Sequence, residues 1–327
     1  MRLLRLTLAA LLTLSGFALP AAAAETVKIG VLKYGTVNWE LDAMKRAGLD
    51  EKNGVDVEIV PFAGEDASTV AFQAGSVDMI VSDWLWVSRM RATGADFTFV
   101  PYSTSVGSMM VAGDSAIKDL GDLKGKTIGV AGGPLDKNWL LIQALAKKKY
   151  GVDLSAENDI AYAAPPLLAA KAQSGELDAV LNYWHYAARL EAAGFRTLIS
   201  GTDAAVAMGT SGPVAAIGWV FRDDFAKAHP DAIKGFLAAD EATKDLLMAS
   251  DEAWQQLKPL MKAEDEATFE TLKKRYREGI PARTGAEEVA DTKALYRLLA
   301  EIGGEKLVGP SPELSEGTYF SGAKNGS

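Results

Sequence analysis

Apolar residues 27–31 form a short run, Val27-Lys28-Ile29-Gly30-Val31, that reads as a strand. Leu41, Met44 and Ala47 then recur at helical spacing. Glu40 and Asp42 sit in the first turn, where the helix dipole favours acids, and Gly48 marks the end. Val55, Val57 and Ile59 alternate with Asp56 and Glu58, the signature of a half-buried strand. Residues 70–74 predict a helix stopped by Gly75, and 77–81 a buried strand. A helix over 84–92, ended by Gly94, and a strand over 97–100 follow. Strands alternating with helices predict parallel sheets covered on both faces.

The same order recurs. Ile29-Gly30-Val31 and Ile128-Gly129-Val130 lie 99 residues apart, and each is followed by an Asn-Trp pair, Asn38-Trp39 and Asn138-Trp139. Gly54-Val55-Asp56 is matched by Gly151-Val152-Asp153. Residues 73–94 align with 173–194 without a gap, and seven of the 22 positions are identical, Trp84/Trp184 and Arg89/Arg189 among them. Two Ala-rich helical windows would match by chance at one or two positions, so the chain reads as two copies of one α/β lobe. Beyond residue 212 the pattern changes. Residues 214–221 are strand-like, Pro230 opens a helix at its first turn, and further helices are expected around Trp254 and over 287–302. From Gly303 onward Gly, Ser and Pro predict an irregular, partly disordered tail.

The first residues stand apart. Arg2 and Arg5 precede an almost wholly apolar stretch over 6–14, helix-breaking Ser15, Gly16 and Pro20 follow, and Ala22-Ala23-Ala24 offers a small-residue cleavage site. That is the layout of a secretory signal peptide over 1–24, its apolar core too short to span a bilayer. The chain carries 34 basic and 43 acidic residues, and without Arg2 and Arg5 its net charge moves from −9 to −11. Such acidity argues against a nucleic-acid partner, which needs a positive face. With no cysteine there is no disulfide framework, thiolate metal site, cysteine nucleophile or lipid-modified N-terminal cysteine. A soluble, unanchored exported protein fits a Gram-negative periplasm.

In open α/β sheets ligands bind beyond the carboxyl ends of the strands, beside helix N-termini. Four segments occupy that position, 33–39, 82–86, 132–139 and 182–186, and they hold five of the seven tryptophans. The candidate ligand-binding residues are Tyr34, Asn38, Trp39, Asp83, Trp84, Asn138, Trp139, Asn182, Tyr183, Trp184 and His185. Aromatic walls stack planar rings or hold cations. The asparagines supply both donors and acceptors, and Asp83 can pair with a cation. Lys33, Lys137 and the Gly132-Gly133 turn would instead suit an anion. The competing reading is that each Trp simply starts a helix and packs inward as core. Catalytic and metal-binding patterns are thin. The two histidines, His185 and His229, match no zinc spacing, Ser211 lacks the flanks of a hydrolase elbow, and no nucleophile stands beside a base. No metal and no cofactor are expected.

Several stretches carry a family likeness: Gln73-Ala74-Gly75-Ser76-Val77-Asp78, Asp122-Leu123-Lys124-Gly125-Lys126-Thr127-Ile128-Gly129-Val130, Gly175-Glu176-Leu177-Asp178-Ala179 and Ala228-His229-Pro230-Asp231-Ala232. With the export signal and the strand at 27–31, they resemble substrate-binding proteins of ABC importers. The group most similar is the nitrate/sulfonate/taurine and pyrimidine-precursor binding family. The resemblance implies an α/β, type II periplasmic binding protein fold, two α/β lobes joined by crossing strands with a ligand cleft between them. Lobe one would comprise 25–106 plus 212–327, and lobe two 107–211, with crossings near 103–109 and 210–216. The implied protein is a monomer that closes on a small-molecule ligand and is read by an ABC transporter permease in the inner membrane.

Sulfonate and nitrate binders are expected to offer more hydroxyl and basic groups at the four loops. Trp, Tyr, Asn and Asp stand there instead, which favours an uncharged or cationic, planar or heteroaromatic organic ligand over an anion. The alternatives are a sulfonate- or nitrate-type anion binder of the same family, and an accessory or sensory binder unconnected to import. An enzyme on the same fold is a third, though the reactive cysteine cluster of the yeast-type pyrimidine synthases is absent.

Overall fold

The computed structural model of the chain describes residues 24–282 and 285–323. The leader peptide read over 1–24 therefore lies, apart from Ala24, outside the described residues. In chain order the first sheet-and-helix unit runs β1 (Glu25–Leu32), α1 (Val37–Ala47), α2 (Leu49–Lys52), β2 (Val55–Phe62), α3 (Glu65–Gln73), β3 (Met79–Ser82), α4 (Trp84–Ala92) and β4 (Phe97–Ser103). The second runs β5 (Ser108–Ala112), β6 (Thr127–Val130), α5 (Lys137–Tyr150), β7 (Asp159–Tyr162), α6 (Pro165–Gln173), β8 (Ala179–Asn182), α7 (Trp184–Ala192), β9 (Phe195–Ser200) and α8 (Gly201–Met208). The chain then crosses back to β10 (Ile217–Arg222) and ends in α9 (Asp223–Ala228), α10 (Pro230–Ala249), α11 (Asp251–Met261), α12 (Glu266–Glu278) and α13 (Ala286–Val308).

Two five-stranded sheets result, ordered β2-β1-β3-β10-β4 and β7-β6-β8-β5-β9. The expectation of all-parallel sheets needs correction. β10 runs antiparallel between β3 and β4, and β5 antiparallel between β8 and β9. These are the strands that follow the two crossings. A chain entering a lobe from the cleft arrives at the carboxyl ends of its parallel strands, so it must run the other way.

The sheets fold this way because their central strands are apolar, with Val27, Ile29, Met79, Ile128 and Val180 wholly buried, while the edge strand β2 alternates with Asp56 and Glu58. The helix α1 stops at Gly48, which takes the left-handed conformation at φ 61° and lets its N–H reach back to the Lys45 carbonyl. The crossings are clamped together. The Ala216 N–H donates to the Ser103 carbonyl at 2.7 Å, and the Thr104 N–H donates to the Gly279 carbonyl at 2.8 Å. At the second lobe's edge the Gly201 N–H reaches the Gly107 carbonyl at 2.9 Å. A Cβ on Gly201 would lie 2.0 Å from Asn138 Oδ1, so only glycine allows that approach.

The tail also departs from expectation. Helix α13 breaks at Gly304 (φ 62°), close to the expected start of the irregular stretch, but a last helical piece runs to Val308, and residues 315–320 then pair with the first lobe. The Phe99 N–H donates to the Thr318 carbonyl at 2.8 Å, and the Phe320 N–H donates to the Phe99 carbonyl at 2.9 Å. Phe320 packs edge-on to Phe221 with ring centres 5.0 Å apart. Tyr319 and Phe320 pull a Gly/Ser/Pro-rich segment onto the free edge of β4, which composition alone could not foretell.

Candidate functional site

A cavity of about 400 Å³ lies at the seam of the two lobes, bounded by the crossing segments and by the starts of α4, α5 and α7. Of the sequence-predicted residues, Asp83, Trp84, Asn138, Tyr183, Trp184 and His185 line it. The other five do not. Trp139 is fully buried in the apolar cluster that holds Ile128 and Leu145. Asn182 is buried too, its Nδ2 donating to the Pro165 carbonyl at 2.9 Å. Asn38 closes its own turn, donating to the Leu32 and Gly35 carbonyls at 2.8 and 2.7 Å. Tyr34 is 76% exposed, with Lys33 and Lys262 against its ring.

Trp39 is the instructive case. It and Trp184 come from opposite lobes, yet their rings meet each other edge-on, centres 5.9 Å apart. Trp254 and Tyr276, from the C-terminal helices, complete the cluster at 6.5 and 6.4 Å from Trp39. The rings seal one flank of the seam instead of facing each other across a ligand. Arg275 reinforces that flank by gripping Glu191 of α7 through two bonds, 2.7 and 2.8 Å.

On the other flank Trp84 is buried, its indole N–H donating to the Ala215 carbonyl of the crossing segment at 2.8 Å. Beside it an ion pair spans the seam. Lys137 Nζ, at the first turn of α5, lies 2.5 Å from Asp83 Oδ2. The other Asp83 oxygen caps α4 by accepting the Trp86 N–H at 2.7 Å. Burial alone would raise the Asp83 carboxyl, but the Lys137 ammonium outweighs it and holds the group below its ordinary value. Burial likewise works against the charge of Lys137, and Asp83 reverses it, so the ammonium is held more firmly than usual.

Two further carboxylates line the same cavity, Glu65 at the start of α3 and Asp136, which caps α5 by accepting the Trp139 N–H at 3.0 Å. Burial raises both, and the neighbouring Asp83 charge adds to the effect. Burial and the Asp136 charge raise the Tyr183 phenol. Burial, then Arg189, pushes His185 down to about 4, so the imidazole is neutral at physiological pH. Its Nδ1 is buried with no hydrogen-bond partner.

Sequence reasoning missed Glu65 and Asp136 and left Lys137 undecided between a ligand and the solvent. The one signal was proximity: Asp136 and Lys137 directly precede the Asn138-Trp139 pair. A second, hydroxyl-lined cavity of about 380 Å³ sits behind Trp184 and shares Ser105 and Thr202 with the first. Among the described residues no group of His, Cys, Asp and Glu is arranged to hold a metal ion, and no helix is long and apolar enough to cross a membrane.

Two α/β lobes, two crossings and a cavity at the carboxyl ends of both sheets define a periplasmic binding protein fold. The chain belongs to the NMT1/THI5-like family, whose model matches residues 45–253. This bears out the likeness to importer substrate-binding proteins read from its motifs. A curated relative from Escherichia coli (strain K12), named for binding aliphatic sulfonates, is 31% identical over 209 residues. That match covers 62% of this chain and 63% of the relative. Among solved structures, the periplasmic aliphatic sulphonate binding protein SsuA from Escherichia coli superposes with a TM-score of 0.71 at 21% identity, covering 91% of this chain and 92% of that one. The alkanesulfonate-binding protein SsuA from Xanthomonas axonopodis pv. citri, solved with MOPS bound, gives 0.67 at 19%, covering 92% and 99%. At such identities the structures speak for the fold.

Proposed function

We propose that this protein is the periplasmic substrate-binding component of an ABC importer. It would be exported by the peptide read at 1–24, work as a monomer, and deliver its ligand to a permease in the inner membrane. The ligand is a small organic molecule, uncharged or cationic, with a planar or heteroaromatic part that rests against Trp184, Tyr183 and His185. The cavity between the lobes carries this reading, because three carboxylates line it against a single ammonium, and that ammonium is already paired with Asp83.

A second reading has one specific support, the sulfonate named for the curated relative. A sulfonate would sit on Lys137 and the N-terminus of α5. It would first have to draw Lys137 away from Asp83, and then lie beside Glu65 and Asp136. Calorimetry with taurine, nitrate, pyrimidines and betaines, together with mass spectrometry of any molecule that co-purifies, separates the two. Tight binding of taurine or nitrate alone overturns the first reading. Loss of uptake on deleting an adjacent permease gene would set an importer apart from an accessory or sensory binder.

A further inference from the structure

We propose that the ligand bears a positively charged nitrogen, seated beside Glu65 and Asp136 with the Tyr183 ring as its aromatic face. This rests on reading the seam cavity as the ligand site, and it names the charge class within that reading.

The carboxylates are not equivalent. Asp83 has both oxygens engaged, one by the Trp86 N–H and the other by Lys137. Asp136 spends one oxygen on its helix cap. Neither Asp136 nor Glu65 forms an ion pair among the described residues, although both line the cavity. They come from different lobes and meet around Lys137 at the seam. Like charges brought together repel, and the interaction strengthens as the local dielectric falls. Burial is the main cause that raises both carboxyls; the Asp83 charge adds to it and Lys137 opposes it. A ligand cation would add to the attraction that Lys137 already exerts on both.

Two further observations point to a ligand. His185 lines the same cavity with a buried, unpartnered Nδ1, and its neutral ring adds no positive charge of its own. The Tyr183 ring stands 41% exposed at the cavity although it begins a helix. An aromatic face beside carboxylates is the arrangement that recognises ammonium groups, through cation–π attraction added to charge pairing.

The test uses the purified chain in calorimetry with three cations, each beside an uncharged isostere. The pairs are choline with 3,3-dimethylbutan-1-ol, benzylamine with benzyl alcohol, and N-methylpyridinium with toluene, and 1-propanesulfonate is run alongside. At least one cation should bind about tenfold tighter than its isostere, in line with cation–π and ion-pair strengths in a partly desolvated site. In the E65Q/D136N double variant that preference should nearly vanish. The same variant should melt no lower than the parent, because it replaces two carboxyls whose charge the fold disfavours and keeps an oxygen to cap α5. Cations that bind no tighter than their isosteres, or a preference that survives in E65Q/D136N, overturn the proposal. If 1-propanesulfonate alone binds, the cation inference fails and the receptor reading stands. If no panel member binds, no small molecule co-purifies, and scattering shows no lobe closure with any of them, the receptor reading fails too.

Discussion

The two copies of the repeat start from the same residues and put them to opposite uses. Asn38 locks its own turn, whereas Asn138 faces the cavity. Trp39 meets the aromatic cluster of the C-terminal helices, whereas Trp139 is buried in the core of its lobe. Both Trp84 and Trp184 border the cavity, but Trp84 is buried and tied to the Ala215 carbonyl of the crossing segment, whereas Trp184 is half-buried and packs against Trp39. Glu40 follows Trp39 where Leu140 follows Trp139, and among the described residues only the first copy carries a buried ionic network built on that helix. There Lys244 pairs with Asp240 and with Glu40, and the Tyr276 hydroxyl donates to Glu40. A repeat preserves backbone architecture, while the elements packed on each copy decide what its side chains do. Here α10 and α11 pack on α1 while α12 packs on α7 across the seam, and together they contribute Lys244, Trp254 and Tyr276.

The largest expected effect comes from breaking the network that the second copy lacks. Lys244→Met leaves Glu40 and Asp240 buried without their cation and should cost about 3–5 kcal/mol of stability, read from urea unfolding. Trp139→Ala should come close to it, at roughly 3–4 kcal/mol for a fully buried ring, with ligand affinity intact in whatever folds. Loss of affinity without loss of stability would return Trp139 to the ligand site. Trp84→Phe keeps most of the packing but strands the Ala215 carbonyl, so a stability loss of about 1–3 kcal/mol is expected. Trp184→Ala should weaken ligand binding by roughly 1–2 kcal/mol while costing less stability than Trp84→Phe, measured by calorimetry and melting together. Equal behaviour of Trp84 and Trp184 would erase the distinction between them.

The smallest effect is a pH dependence. His185 takes up its proton near 4 when folded, against an ordinary value of 6.5 when unfolded. Below 6.5 the unfolded chain therefore binds a proton that the folded chain refuses. The His185 contribution is fully present above that pH and lost as pH falls from 6.5 toward 4. His185→Gln should flatten the melting temperature over that window, and an unchanged slope would mean that His185 binds its proton equally well in the folded and the unfolded chain.

Much of the fold was legible beforehand. Helix α4 spans Trp84–Ala92 as its pattern indicated, and α10 begins at Pro230. Local pattern suffices there because strand and helix periods, caps and glycine stops are written within a few residues of where they act. The antiparallel β5 and β10 were not legible, because direction depends on the side from which the chain enters a sheet. The tail at 315–320 was missed for a related reason, since its docking edge lies more than 200 residues upstream.

The candidate site divides in the same way. Junction residues such as Asp83, Tyr183, Trp184 and His185 could be picked out because helix starts beyond strand ends have a sequence signature. Whether a Trp at such a start turns toward the cavity or the core depends on which helix covers it, and neighbouring residues do not record that.

By itself the sequence determined the duplicated α/β plan, the family and the ring of loops in which a ligand would lie, because these follow from periodicity and short-range chemistry. Only the tertiary structure brought Asp83 to Lys137, gathered Glu65 and Asp136 around them, and turned Trp39 against Trp184. Pair distances across a seam are set by how whole lobes pack, and electrostatic and aromatic contacts act over those few ångströms regardless of separation along the chain.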